Sequence, residues 1–257
     1  MKLLTTNLST LVFCPVISAD KAQPRPDPKP SPDLLEVTPR LYKYTAELLF
    51  GDVWKREELS PRDRSLLTIS TLIASGQIPQ LTGHIKLGLD NGIKPNEISA
   101  LITHLAFYSG WPNAMSAVGV AKQIFIERNI PAEMIAPPLG DSLPLDPDSE
   151  TKRRAALGVE VGDVAPKLTQ YTNDVLFGDL WQQSDLSARD RSLITVAALI
   201  AQNQAEHLPF HLNRGMDNGL TQAQVSEVVT HLAFYAGWPK AMCAVPVLKV
   251  VFASRQG

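Results

Sequence analysis

The chain has 257 residues, 44% of them apolar and 19% charged, and a formal net charge of −2. Lys and Arg are scattered, so no basic footprint points to nucleic acid, and no stretch reaches the ~20 apolar residues needed to span a bilayer. Two cysteines, Cys14 and Cys243, cannot frame a disulfide scaffold.

Residues 1–35 divide into a leader and a proline-rich segment. Lys2 precedes a mostly apolar run, Leu3 to Ile17, and the small residues Ser18 and Ala19 follow. That order of parts fits a secretory signal cleaved after Ala19, hence a periplasmic or secreted protein. A leader that is not cleaved, with a cytoplasmic protein, is the alternative, because Asn7 and four Ser/Thr residues interrupt the apolar part. Phe13 before Cys14 argues against lipoprotein processing. Pro24, Pro26, Pro28, Pro30 and Pro32 then fix an extended, solvated backbone.

From Leu49 to Met115 the chain repeats itself at a constant offset in residues 176–242, with roughly half of the aligned positions identical. Leu49-Phe50-Gly51-Asp52-Val53-Trp54 returns as Leu176 to Trp181. Arg62-Asp63-Arg64-Ser65-Leu66 returns as Arg189 to Leu193, and Thr103 to Tyr108 as Thr230 to Tyr235. The copies are placed at 36–130 and 151–257, joined by a proline-rich linker, 131–150, that holds Pro131, Pro137, Pro138, Pro144 and Pro147.

Each copy reads as helical throughout. Leu41, Tyr44, Leu48 and Leu49 recur at helical spacing. Ser60-Pro61-Arg62-Asp63 supplies an N-cap, a proline at the first helical position and an acid at the third. The helix it opens is too apolar to face solvent. The next runs over Leu81 to Asp90 and stops at Asn91-Gly92. Pro95 and Glu97 open another, where the second copy offers a Thr221/Gln224 capping box. Gly110-Trp111-Pro112 breaks that helix and starts the last. No segment alternates with period two for long enough to be a strand, so the fold class is all-α: two tandem helical bundles. Cys243 and its counterpart Ser116 are expected to be small buried fillers.

All five histidines lie inside the copies. His84 matches His211, and His104 matches His231; His207 stands opposite Gln80. On a helix His207 and His211 would share a face, with Glu206 alongside, a set able to hold a metal or pass protons. The plainer reading is a polar helix face near an interface. His104 and His231 sit between apolar residues and need no more than a buried hydrogen-bond partner. In each Arg-Asp-Arg run, Arg62 with Arg64 and Arg189 with Arg191, one arginine is expected to brace the bundle and the other to face an anionic substrate. Tyr108 with Trp111, and Tyr235 with Trp238, are candidate substrate contacts, although such residues more often serve cores or interfaces. There is no glycine-rich phosphate loop, no nucleophile elbow and no Cys-x-x-Cys.

Arg62 to Leu66, then His84 with Gly88, Asn91 and Gly92, then Leu105 to Pro112, together with their second-copy partners, resemble the carboxymuconolactone decarboxylase family, within the AhpD-like superfamily. The resemblance covers about Leu41 to Phe125 and Leu168 to Phe252. The peroxidase branch depends on a Cys-x-x-Cys, and those places hold Gln77 and Gln80, or Gln204 and His207. Ser65 and Ser192 stand where an acid is common after the arginine. The resemblance implies a carboxy-lyase acting on a small carboxylated lactone or related cyclic acid. A γ-carboxylate leaves as carbon dioxide while its electron pair passes through the double bond to the lactone carbonyl, so neither cofactor nor metal is required. It further implies proton transfer by His211 or His84, tuned or relayed by His207 and Glu206. Arg191 and Arg64 would bind carboxylate, with His231, His104, Tyr235, Tyr108, Trp238 and Trp111 around the substrate. The second copy, or a site shared between copies, is the better candidate catalyst. The partners implied are a small anionic substrate and further copies of the chain, in a trimer of tandem chains. Two alternatives remain: a non-catalytic binding or scaffold protein, and a metal-dependent lyase or hydrolase using His207, His211 and His231.

Overall fold

The computed structural model describes residues 30–137 and 142–256. The leader and the prolines at 24, 26 and 28 lie outside the described residues. Among those described, every regular element is helical. Two short helices, α1 (Pro32–Val37) and α2 (Pro39–Lys43), lead into the first copy: α3 (Pro61–Ala74), α4 (Ile78–Asp90), α5 (Pro95–Ser109) and α6 (Trp111–Glu127). Then come α7 (Pro147–Val161) and α8 (Pro166–Tyr171), and the second copy follows with α9 (Ala188–Ala201), α10 (Leu208–Asp217), α11 (Gln222–Tyr235) and α12 (Trp238–Ser254).

The helix starts are where the capping residues put them. Ser60 Oγ accepts from Asp63 N at 3.1 Å, Ser187 Oγ accepts from Asp190 N at 3.1 Å, and Thr221 closes its box with Gln224. Gly92 and Gly219 end α4 and α10 at φ of +93° and +102°, which a side chain would strain. The Asn before each glycine ties that turn to the opening of the apolar helix: Asn91 Nδ2 donates to Ser65 Oγ at 2.9 Å, and Asn218 Nδ2 to Ser192 Oγ at 3.0 Å. Small serines therefore hold a structural post where an acid was expected. A Cβ on Gly88 would meet Ile69 Cδ1 at 2.9 Å, which explains glycine where α4 crosses α3.

The stripe of Leu41, Tyr44 and Leu48 does not form one buried helix. After α2 the chain widens into a π turn, Tyr44–Leu49, and these three side chains stay exposed. The second copy repeats this with Thr172–Leu176. Cys243 and Ser116 are also exposed, contrary to the filler role expected of them. Each lies on the outer side of its helix, between alanines that carry the buried face: Ala241 and Ala244, or Ala114 and Ala117.

The copies are not two beads on a string. Helices α3 and α9 pack on each other at the centre, α5 lies on α9, and α11 lies on α3. One apolar core runs through both copies, with Leu66, Leu67, Ile73, Leu193, Ile194 and Ala197 fully buried. Reciprocal ion pairs lock the crossing: Arg62 Nη1 to Asp190 at 2.8 Å, and Arg189 bidentate to Asp63 at 2.9 Å on both oxygens. Residue i reaching j while j reaches i is the pattern of a two-fold dimer, here inside one chain.

Candidate active site

That crossing assembles two pockets, each from both copies. The first takes Trp54 from a 3₁₀ turn (Val53–Lys55), Arg64 and Thr68 from α3 and His84 from α4, and adds His231 and Tyr235 from α11. The second takes Trp181, Arg191, Thr195 and His211 from the second copy and adds His104 and Tyr108 from α5. Trp54 Nε1 donates to Tyr235 Oη at 2.8 Å, and Trp181 Nε1 to Tyr108 Oη at 2.9 Å. His84 stacks on Trp54 with centroids 6.2 Å apart, and His211 on Trp181 at 6.1 Å. Tyr235 meets His84 edge-on at 5.4 Å, and Tyr108 meets His211 at 5.3 Å.

The inner layer of each pocket is closed to a ligand. His231 Nδ1 lies 3.3 Å from Arg64 Nη1, and His104 Nδ1 lies 3.4 Å from Arg191 Nη1. A guanidinium only donates, so each Nδ1 accepts and each ring is the neutral Nε2–H tautomer. Nε2–H then donates to Thr68 Oγ1 at 2.9 Å or Thr195 Oγ1 at 2.7 Å. Burial holds both rings far toward the neutral form, His231 down to about 3, and the adjacent arginine adds to the effect. With both nitrogens engaged and no exposed surface, His104 and His231 are positioning groups behind the tyrosines, not substrate contacts.

Arg64 and Arg191 are corrected in the same way. Arg64 is fully buried, and its Nη2 donates to Glu227 of the other copy at 2.9 Å and to Arg56 O at 2.8 Å. Arg191 is 1% exposed and pairs with Asp185 and with Gln183 O. Each guanidinium is buried and ion-paired within the protein, and neither arginine is in the wall of the cavity at the second pocket. Trp111 and Trp238 also leave the set. They are more than half exposed at the starts of α6 and α12, packed on Phe107 and Phe234.

A cavity of about 750 Å³ opens against the second pocket, with Tyr108, His211, Phe210, Arg153, Glu206 and His207 in its wall. Burial pushes His211 down to about 3, helped by the Arg214 charge and by His207, so its imidazole is neutral at pH 7. Its Nδ1 is buried without a hydrogen-bond partner. Burial raises Tyr108 above the usual phenol range, which leaves its hydroxyl protonated and available to donate. In the first pocket His84 is pushed down to about 4, and Tyr235 up to about 12, again mainly by burial.

His207 and His211 border the same cavity but do not lie on one α-helix. Pro209 confines α10 to start at Leu208, and His207 falls in a 3₁₀ turn, Ala205–His207. His207 and Glu206 stand on the cavity rim, 4.0 Å apart, with most of each side chain in solvent. The metal-binding set His207, His211 and His231 is not assembled, because His231 belongs to the first pocket. Among the described residues no cluster of three or more His, Cys, Asp or Glu could hold a metal ion.

Several residues were not singled out from the sequence. Trp54 and Trp181 carried a signal, since both sit in the repeated Leu-Phe-Gly-Asp-x-Trp run. Arg153 on α7 and Arg214 on α10 had none in the repeat. Arg153 lies over the Phe177 ring at 4.1 Å, and Arg214 over Trp181 at 4.5 Å. Glu150 joins them, accepting from Arg153 Nε at 2.8 Å and from Arg214 Nη1 at 3.0 Å.

Comparison with known proteins agrees with this duplicated arrangement. The model of the carboxymuconolactone decarboxylase family matches twice, at residues 39–123 and 166–250. The chain is 32% identical over 92 residues to 4-carboxymuconolactone decarboxylase of Acinetobacter baylyi, covering 36% of the chain and 69% of that relative. It is 34% identical over 71 residues to nitrosuccinic acid decarboxylase of Metarhizium robertsii, covering 28% of the chain and half of that relative.

Proposed function

The chain belongs to the carboxymuconolactone decarboxylase family, and from that membership we propose that it is a carboxy-lyase working at the second pocket on a small carboxylated lactone or related acid. The observation that carries this reading is the cavity whose wall holds both Tyr108 and a neutral His211 with an unpartnered Nδ1. The two relatives named as decarboxylases supply the reaction class.

The residues have coherent parts in such a reaction. As the carbon–carboxylate bond breaks, carbon dioxide leaves and the electron pair moves through the double bond to the lactone carbonyl oxygen. Tyr108 donates its O–H to that developing oxyanion. Carbon must then regain one proton. An anion beside His211 offsets the burial penalty on the imidazolium, so His211 takes a proton from water at the rim, where Glu206 and His207 stand, and delivers it to carbon. The first pocket is read as the structural partner: Pro79 and Gln80 occupy the places of Glu206 and His207.

The test is carbon dioxide release from 4-carboxymuconolactone and from nitrosuccinate by the wild-type chain and by His211→Ala. Turnover that falls about 10²-fold or more in a folded variant is expected. Turnover untouched by the substitution removes the reading.

A further inference from the structure

We propose that Arg153, on the helix between the copies, is the anchor for a substrate carboxylate at the second pocket. The proposal rests on the reading above for the identity of the pocket and adds the group that holds the anion. Three observations carry it.

The first is a charge imbalance. Arg153, Arg214 and Glu150 form one cluster, with each side chain at most 11% exposed. It holds two guanidinium cations and a single carboxylate. Arg191 cannot draw on Glu150, because Asp185 already pairs with it. The acids on the cavity wall do not restore the balance: Glu206 and Glu160 are exposed, and solvent screens them. A buried cluster with one positive charge in excess is costly alone and favourable once an anion arrives.

The second is an unused donor. Arg153 lies face-on against Phe177, which fixes the guanidinium plane. Nε donates to Glu150 and Nη2 to Asn173 Oδ1 at 3.0 Å, but Nη1 is buried and has no partner in the protein. Guanidinium presents parallel N–H groups that match a carboxylate, so the Nη1 edge is suited to bind one. Arg153 forms part of the cavity wall together with Phe210 and His211.

The third is the contrast with the sister pocket. Leu87 stands in the first copy where the second has Arg214, and Gly83 where it has Phe210. Arg214 and Phe210 are therefore particular to the second pocket, whereas Phe177 under Arg153 has its counterpart in Phe50.

Calorimetric titration with succinate tests this without any need for turnover. Succinate is a dicarboxylate lacking the nitro group of the substrate in the Metarhizium relative's name. Saturable binding to the wild-type chain is expected, weakened about tenfold or more in Arg153→Gln, since a hydrogen bond to a charged group contributes about 1.5–3 kcal/mol. Arg153→Lys, which keeps the charge, should recover part of the loss, and the exposed neighbour Arg154→Gln should bind like wild type. Glu150→Gln removes the competing carboxylate and should tighten binding, which keeps the test open if Arg153→Gln does not fold. On any carboxylated lactone that is turned over, Arg153→Gln should raise KM with kcat within about threefold. No saturable binding to wild type, an unchanged Kd in Arg153→Gln, or no tightening in Glu150→Gln overturns the proposal. Loss of turnover in His211→Ala alongside an unchanged succinate Kd in Arg153→Gln would leave the decarboxylase reading standing and the anchor refuted.

Discussion

The two pockets share a frame and differ in what fills it. Trp, His, Tyr and the buried His–Thr pair recur with ring separations that agree within about half an ångström between the copies. Around that frame the first pocket adds an ion pair across the copies. Glu227 of α11 is 2% exposed and bridges Arg56 and Arg64, whereas its counterpart on α5 is Ala100. The second invests in access, with a large cavity and a cationic shelf donated partly by α7. Duplication thus allowed the surroundings of the two pockets to diverge. A symmetric dimer of single copies could not divide the tasks, because every substitution would appear in both pockets.

That comparison can be strained in order of expected effect. Glu227→Ala leaves Arg64 charged and buried with no carboxylate, so the stability of the whole chain should fall by about 3–5 kcal/mol. Asp185→Ala, at an 18% exposed side chain in the second pocket, should cost less, about 1–3 kcal/mol. Chemical denaturation of the two variants measures the difference, and an equal loss would refute the extra bracing of the first pocket by Glu227. Tyr108→Phe removes the O–H assigned to the oxyanion and should lower kcat about 10²-fold. Tyr235→Phe should leave kcat within about threefold.

One further effect should be shared equally by the two pockets. His104, His211 and His231 are held neutral in the folded chain, the last two down to about 3, while an unfolded histidine titrates near ~6.5. Below that pH the unfolded chain binds more protons, so stability is complete above about pH 7 and falls with acidification toward pH 3. Each histidine contributes about 1.4 kcal/mol per pH unit in that window. Denaturation midpoints at pH 7 and pH 5 should show the loss, and the slope should shrink by the same amount in His104→Gln and in His231→Gln. Unequal shares would mean the inner layers of the two pockets are not equivalent.

Much of this architecture was legible in the chain before any coordinates. Ser60, Pro61, Asn91, Gly92, Thr221 and Gly110 mark helix ends through local chemistry, and local chemistry can be read from local sequence. What packs across the chain could not be read that way. The periodicity of α3 says that nearly all its faces are buried but not that α9 and α11 cover them. For the same reason the sequence offered Arg64 to a substrate. Residues two apart on a helix point to different sides, so Arg62 and Arg64 had to have different fates. Only the crossing shows that carboxylates of the other copy take both. Spacing placed His207 beside His211, and both border one cavity, but with Pro209 in the first turn of α10 His207 falls in the 3₁₀ turn before it. Arg153 was invisible because a conserved offset draws the eye to what is duplicated, and this group belongs to one pocket.

The central claim is that chemistry occurs at one of two similar pockets. Its most direct test is kcat for carbon dioxide release from a single substrate by His211→Ala and by His84→Ala, each verified as folded. The account expects His211→Ala to lose about 10²-fold or more and His84→Ala to stay within about threefold of wild type. Equal losses in the two variants, or a larger loss in His84→Ala, would contradict it.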